Sequence, residues 1–207
     1  MSDKYKNKYR IQSTRLQHWD YGWNAAYFVT ICTKGRVCYF GDVIDNVETR
    51  CIASPQRSIA SLPEPTMQLS EIGKIVETEW LKTPELRPDM NLELGIYQVM
   101  PNHFHGIIII GENEYNRERG TERRDAMHGV STPANKFAPQ SKNLGSIIRG
   151  FKSSVTTQAR EIHADFAWQS RFHDHIIRDD DSFHNISEYI ANNPLNWVRD
   201  EYYIKRP

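Results

Sequence analysis

The stretch "VMPNHFHGIIII", residues 99–110, decides how the rest of the chain is read. Its apolar second half reads as a buried strand, and the "PN" at 101–102 as a tight turn leading into it. Side chains alternate along a strand, so His103 and His105 share one face and Phe104 takes the other. Two imidazoles side by side where a strand begins are an arrangement a metal could use. An ordinary strand that tolerates two half-exposed histidines is the other reading of the same residues.

Outward from this stretch the elements fall into order. "LELGIYQVM", 92–100, alternates as a strand and pairs through the turn with "HFHGIIIIG" to make a hairpin. "AYFVTICT", 26–33, is β-branched and aromatic and reads as an earlier strand. Between them, "LSEIGKIVETEWLK", 69–82, places Leu69, Ile72, Val76 and Trp80 at helical spacing, and Pro84 and Pro88 close that helix. "NLGSIIRGFKSSVTTQAREI", 143–162, is amphipathic, with Leu144, Ile148, Phe151, Val155 and Ala159 on one side and Arg149, Lys152, Thr156 and Arg160 on the other. "FHDHIIR", 172–178, is a further strand, and "DDDSFHNISEYIANNP", 179–194, a last helix with an acidic start and a proline to end it. The first six elements give the split βαβ order, so the expected fold is α+β: a ferredoxin-like antiparallel sheet with helices and an added C-terminal helix. Three segments lack period: a basic arm over 1–16 and two insertions, about 43–66 and 112–142, the second expected to be long and mobile.

At 207 residues, 39% hydrophobic and 25% charged, the chain suits one sizeable folded domain. Lys plus Arg equal Asp plus Glu at 26 each, which excludes a uniformly basic nucleic-acid glue and leaves only a local basic surface for such a partner. The three cysteines form no CxxC pair and imply a reducing compartment rather than a disulfide framework. No signal-peptide core stands at the start, and no apolar run approaches the ~20 residues of a membrane span. The expectation is a cytoplasmic protein with no membrane partner.

In the last helix Phe183, Ile186 and Ile190 form the buried stripe, and Tyr189 flanks it. Asn193, four residues on, shares the face of Tyr189 and sits at the helix end ahead of Pro194. If this helix packs near the strand bearing His103 and His105, two imidazoles, an amide oxygen and a phenol converge.

The motifs now carry a resemblance. "YQVMPNHFHGIIII" at 97–110, "WQSRFHDHIIRDD" at 168–180 and "EYIANNP" at 188–194 resemble the single-tyrosine transposases of the HUH (histidine–hydrophobic–histidine) superfamily. Within it the chain looks most like the REP-associated tyrosine transposases and their insertion-sequence relatives. "DYGWNAAYFVTICTKGR" with "YFGDV" resembles that family's first strand, and "LSEIGKIVETEW" its first helix. The likeness runs from about residue 15 to 200, broken by the two insertions. It implies the same ferredoxin-like sheet. It also implies that His103 and His105 are metal ligands, that Asn193 takes a third ligand position where insertion-sequence members often have glutamine, and that Tyr189 is the nucleophile. The implied reaction is metal-dependent cleavage and rejoining of DNA through a 5′-phosphotyrosine, with Mg²⁺ or Mn²⁺ as cofactor.

The implied partner is single-stranded or hairpin DNA, because the scissile phosphate must be accessible. From Lys142 to Arg160 the chain has no acidic residue, so Lys142, Arg149, Lys152 and Arg160 are the expected phosphate-tracking cations. Tyr97, Trp168, Phe172 and Trp197 are candidate stacking platforms, more often core than platform. The second pair, His173 and His175, reads as structural or supporting. A homodimer is open, since Tyr189 could serve its own subunit or a partner's. Two other functions stay open: a domesticated DNA-binding protein without transposition, and a replication-initiator or relaxase-type nickase. The single tyrosine and the small size favour the transposase group over the nickase.

Overall fold

The computed structural model describes residues 19–44, 64–117 and 141–204, with the backbone of 4–5 and 8–9. Six strands and five α-helices carry the description. They are β1 (Ala25–Cys32), β2 (Gly41–Ile44), β3 (Thr66–Leu69), α1 (Glu71–Leu81), β4 (Leu92–Val99), β5 (His103–Ile110), α2 (Glu114–Arg117), α3 (Leu144–Ile162), β6 (His173–Ile177), α4 (Asp180–Ala191) and α5 (Asn193–Asn196). The main sheet has the order β4-β5-β1-β6, with each neighbouring pair antiparallel. β1 and β4 therefore run parallel with β5 between them, which is the split βαβ arrangement expected of the element order.

Alternation divides the sheet into two faces with different tasks. Tyr27, Val29 and Ile31 of β1 and Phe104, Ile108 and Ile110 of β5 point to one side and meet Ile72, Val76 and Trp80 of α1 and Leu144, Ile148, Phe151 and Val155 of α3. This is the main core. Gly106 lies on that side because a Cβ there would come within 2.9 Å of both Trp80 and Phe104. Ile107 and Ile109 point to the opposite side with Ala26 and Phe28, where Phe183, Ile186 and Ile190 of α4 cover them. His103 and His105 belong to this second side by the same period.

Local chemistry sets the helix starts. Ser70 Oγ accepts from Gly73 N at 3.0 Å ahead of α1. Asn143 and Ser146 form a capping box at α3. Asp179 accepts from Ser182 N at 2.7 Å ahead of α4, whose first turn holds Asp180 and Asp181 at the positive end of the helix dipole.

The structure departs from the sequence reading at three places. The ends of the segment read as a loop, 43–66, are paired: β2 and β3 form an antiparallel ladder, and Gly41, at φ 129°, approaches Gln68 so closely that a Cβ would stand 2.0 Å from its carbonyl oxygen. The segment read as an insertion from 112 begins with ordered structure, since Asn113 caps the short helix α2 and both Asn113 and Asn116 are buried. α4 stops one residue before the proline predicts: Asn192 caps it, and Asn193 and Pro194 open α5, whose first turn needs no N–H from Pro194. Residues 45–63 and 118–140 of the two insertions, and the side chains of the basic arm 1–16, lie outside the described residues. No helix among the described residues is long and apolar enough to cross a membrane.

Candidate functional site

The turn Met100–Asn102 builds the first part of the site. Asn102 is fully buried and committed on every side: its Nδ2 donates to the carbonyls of Arg36 (3.1 Å) and Tyr202 (2.8 Å), so its Oδ1 is left as an acceptor facing His103 Nδ1 at 2.9 Å. That arrangement makes Nδ1 of His103 the protonated nitrogen and leaves a lone pair on Nε2. His103 is 0% exposed, and its Nε2 has no hydrogen-bond partner among the described residues. A buried acceptor without a donor costs free energy, and a cation is one way to recover it.

His105 stands next to it, ring centres 4.5 Å apart. Across the sheet, Thr30 of β1 lies beside His105 in register, with Thr30 Oγ1 at 2.8 Å from His105 Nδ1, and His173 of β6 continues the row. With Nδ1–H donating to Thr30, His105 Nε2 accepts from the hydroxyl of Tyr189 at 3.3 Å. Tyr189 is 44% exposed and stands edge-on to Phe28, which in turn stacks on His105. The tyrosine thus has one side on the histidine pair and the other in solvent. Burial, then the neighbouring imidazole, holds His103 well below the usual histidine range, and burial pushes His105 down to about 3. Both rings are neutral at physiological pH, the form that binds metals. Burial, reinforced by the carboxylates of Asp200 and Glu201, pushes the Tyr189 phenol up to about 12.

Asn193 arrives from the start of α5. It is 1% exposed, its Nδ2 donates to Asp200 Oδ2 at 3.1 Å, and its Oδ1 has no donor among the described residues. A carboxylate only accepts, so the amide nitrogen must face Asp200 and the oxygen is released toward the His103 ring, within hydrogen-bonding reach. Ligand atoms of His103, His105 and Asp200 all lie within 4.8 Å of one another. Two neutral imidazoles, an orphaned amide oxygen and a carboxylate form a donor set that fits a divalent cation.

The structure therefore brings His103, His105, Tyr189 and Asn193 together. It does not bring the four basic residues to them. α3 packs on the opposite side of the sheet, and Lys142, Arg160 and Lys152 are bonded to other parts of the protein. Lys142 pairs with Asp89 and lies 4.7 Å over the Tyr115 ring. Arg160 donates to Phe166 O at 3.1 Å. Lys152 donates to the carbonyls of Gln169 and Arg171, and burial pushes its amine down to about 8. Arg149 is exposed on the same helix. Lys152 does lie beneath the histidine end of the sheet, since Gln169 N also bonds Cys32 O at 2.9 Å and Cys32 is the register partner of His103.

The four aromatic platforms are packed. Tyr97 lies against Phe104 and bonds Glu77, Trp168 donates to Lys152 O among Phe40, Phe151 and Phe166, Phe172 rests on the main core, and Trp197 is buried 5.9 Å from His103. His173 and His175 are exposed and line an open groove of about 470 Å³ with Phe28, Asn185 and Ile186.

Asn102, Thr30, Phe28 and Asp200 are the neighbours that sequence reasoning did not single out. Thr30 and Phe28 required the strand register, and Asp200 required the course of the chain after α5. Asn102 had a signal: it directly precedes His103, and a turn asparagine with a buried neighbour needs partners for its amide.

No family model matches the chain. Among solved structures, the chain is similar to a REP-associated tyrosine transposase bound to a REP hairpin, at 14% identity and a TM-score of 0.49, covering 93% of this chain and 76% of that one. Among curated proteins it is similar to an uncharacterized protein of Haemophilus influenzae, 33% identical over 200 residues that span 93% of each chain. At that identity over nearly the whole of both sequences, the chain belongs to the same family as this Haemophilus influenzae protein.

Proposed function

We propose that this protein is a metal-dependent DNA strand transferase of the single-tyrosine HUH type, cutting and rejoining single-stranded or hairpin DNA. The observation that carries the reading is half-exposed Tyr189 with its hydroxyl at 3.3 Å from His105 Nε2, in a site where two buried acceptors, His103 Nε2 and Asn193 Oδ1, have no donor among the described residues. The motif resemblance supports the same residues in the same roles.

Tyr189 Oη attacks a backbone phosphorus. A phosphotyrosine bond forms at the 5′ side, the bond to the 3′ oxygen breaks, and that oxygen leaves as a hydroxyl after taking a proton. The energy of the diester is kept in the tyrosyl bond, so a 3′ hydroxyl can attack back and rejoin. His103, His105 and Asn193 would hold a divalent cation, which when bound would supply positive charge to the scissile phosphate and to the phenolate. The chain's own residues do the rest. Thr30 and Asn102 fix the two rings with Nε2 turned inward, the stripe of α4 sets the height of Tyr189, and Phe28 buttresses its ring. The phenol, pushed up to about 12 by burial, gives little phenolate at neutral pH unaided, so the reaction gains from any positive charge brought close to its oxygen.

The test is covalent capture. Incubated with a 5′-extended hairpin oligonucleotide and Mn²⁺, the protein should form a denaturation-resistant protein–DNA adduct, and Tyr189→Phe should form none while still binding the oligonucleotide. An adduct that persists in Tyr189→Phe would place the nucleophile elsewhere. Hairpin binding with no adduct under any divalent metal would leave a DNA-binding protein without strand transfer.

A further inference from the structure

Asp200 lies beyond the tyrosine helix, and three observations bear on its role. Its two oxygens are assigned separate partners: Oδ1 accepts the backbone N–H of Tyr202 at 2.7 Å, and Oδ2 accepts from Asn193 Nδ2 at 3.1 Å. The segment that bears it is tied to the histidine turn, because Asn102 Nδ2 donates to Tyr202 O, Arg36 Nη1 donates to Glu201 O at 2.7 Å, and the Tyr202 ring lies 4.6 Å from His103. One of its oxygens is within 4.8 Å of a ring nitrogen of His103 and of His105, and two buried atoms of its neighbours, His103 Nε2 and Asn193 Oδ1, have no hydrogen-bond partner among the described residues. The residues carrying those atoms are 0% and 1% exposed.

We propose that Asp200 is an anionic ligand of the cation held by His103, His105 and Asn193, so that this centre takes a carboxylate from the chain after α5. The proposal rests on the metal-dependent reading above and names what selects the metal. Two imidazoles and an amide are neutral and, left to themselves, favour later transition metals such as zinc. A carboxylate oxygen adds negative charge and hardness, which favours Mn²⁺ and Mg²⁺ and leaves one net positive charge to face a phosphate. The same carboxylate holds the Asn193 amide with its oxygen toward the histidines, so one residue ligates and orients the next.

Calorimetric titration of the full chain with MnCl₂ and with ZnCl₂ tests this without DNA or turnover. Asp200→Asn retains an oxygen for the Tyr202 N–H and is the variant that keeps the fold if any does; its thermal unfolding is measured beside wild type, His103→Ala and Asn193→Ala. The expected result is a loss of Mn²⁺ affinity of about tenfold or more in Asp200→Asn, with a smaller loss for Zn²⁺. Equal losses for the two metals would mean that Asp200 only orients Asn193 and would overturn direct ligation. Mn²⁺ binding that His103→Ala abolishes and Asp200→Asn leaves unchanged would also overturn it, while sparing the histidine centre. No Mn²⁺ binding by wild type would overturn both readings together.

Discussion

His103 and His105 are neutral because they are buried, and that neutrality has a measurable cost in acid. Burial depresses both folded-state pKa values, His105 to about 3, while an unfolded histidine titrates near ~6.5. Between those limits the unfolded chain binds protons that the folded chain refuses, so stability is full above about pH 6.5 and falls as pH drops. Each unit below 6.5 costs up to about 1.4 kcal/mol per histidine. The thermal midpoint of protein kept in chelator should therefore be level from pH 8 to 7 and decline from 6.5 to 5, and a His105→Gln variant should decline less steeply. A flat wild-type profile down to pH 5 would mean that the rings are not held neutral. At this scale the sequence was legible in part. Strand alternation put both imidazoles on one face, and the spacing from Tyr189 to Asn193 put a phenol and an amide on one side of a helix. Asp200, by contrast, reaches the site through an irregular turn that has no period to read.

Among the elements, β5 is constrained on both faces at once, and Gly106 shows it most directly. A side chain there points at Trp80 and Phe104, two large rings that form the centre of the main core. Gly106→Val should cost about 1–3 kcal/mol by overpacking, with Trp80 forced off the strand. Denaturant unfolding measures it, and a variant as stable as wild type would mean that the ring has room to shift. Long periodic elements such as α1, α3 and β5 were legible within a residue or two, because their burial pattern repeats. The β2–β3 ladder was not: each strand has four residues and shows two alternations at most, too few to stand out beside Pro- and Ser-rich sequence. The basic side of α3 illustrates a different failure. Opposition to an apolar stripe says only that a side chain leaves the core; it does not say that Lys152 will fold back onto the carbonyls of Gln169 and Arg171.

At the scale of the whole molecule, the second aperiodic segment does not begin where the apolar period ends. Asn113 Nδ2 donates to Met90 O and Gly111 O, and Asn116 Nδ2 donates to Gly111 O. Removing 112–142 through a Gly/Ser linker should cost about 2–3 kcal/mol from those bonds alone, whereas removing only 118–140 keeps each of them. Thermal unfolding of the two deletions side by side decides the boundary, and equal midpoints would count against it. The hydrogen bond from Asn102 to Tyr202 spans 100 residues of chain. At synthesis rates of about 5–20 residues per second, roughly 5–20 s separate the two partners on the ribosome. For most of that interval the nascent sheet has its histidines but neither Tyr189 nor the apolar cover of α4. A chain at that stage cannot cover Ile107 and Phe28, so the order of synthesis itself leaves this face of the sheet open until the last helix arrives.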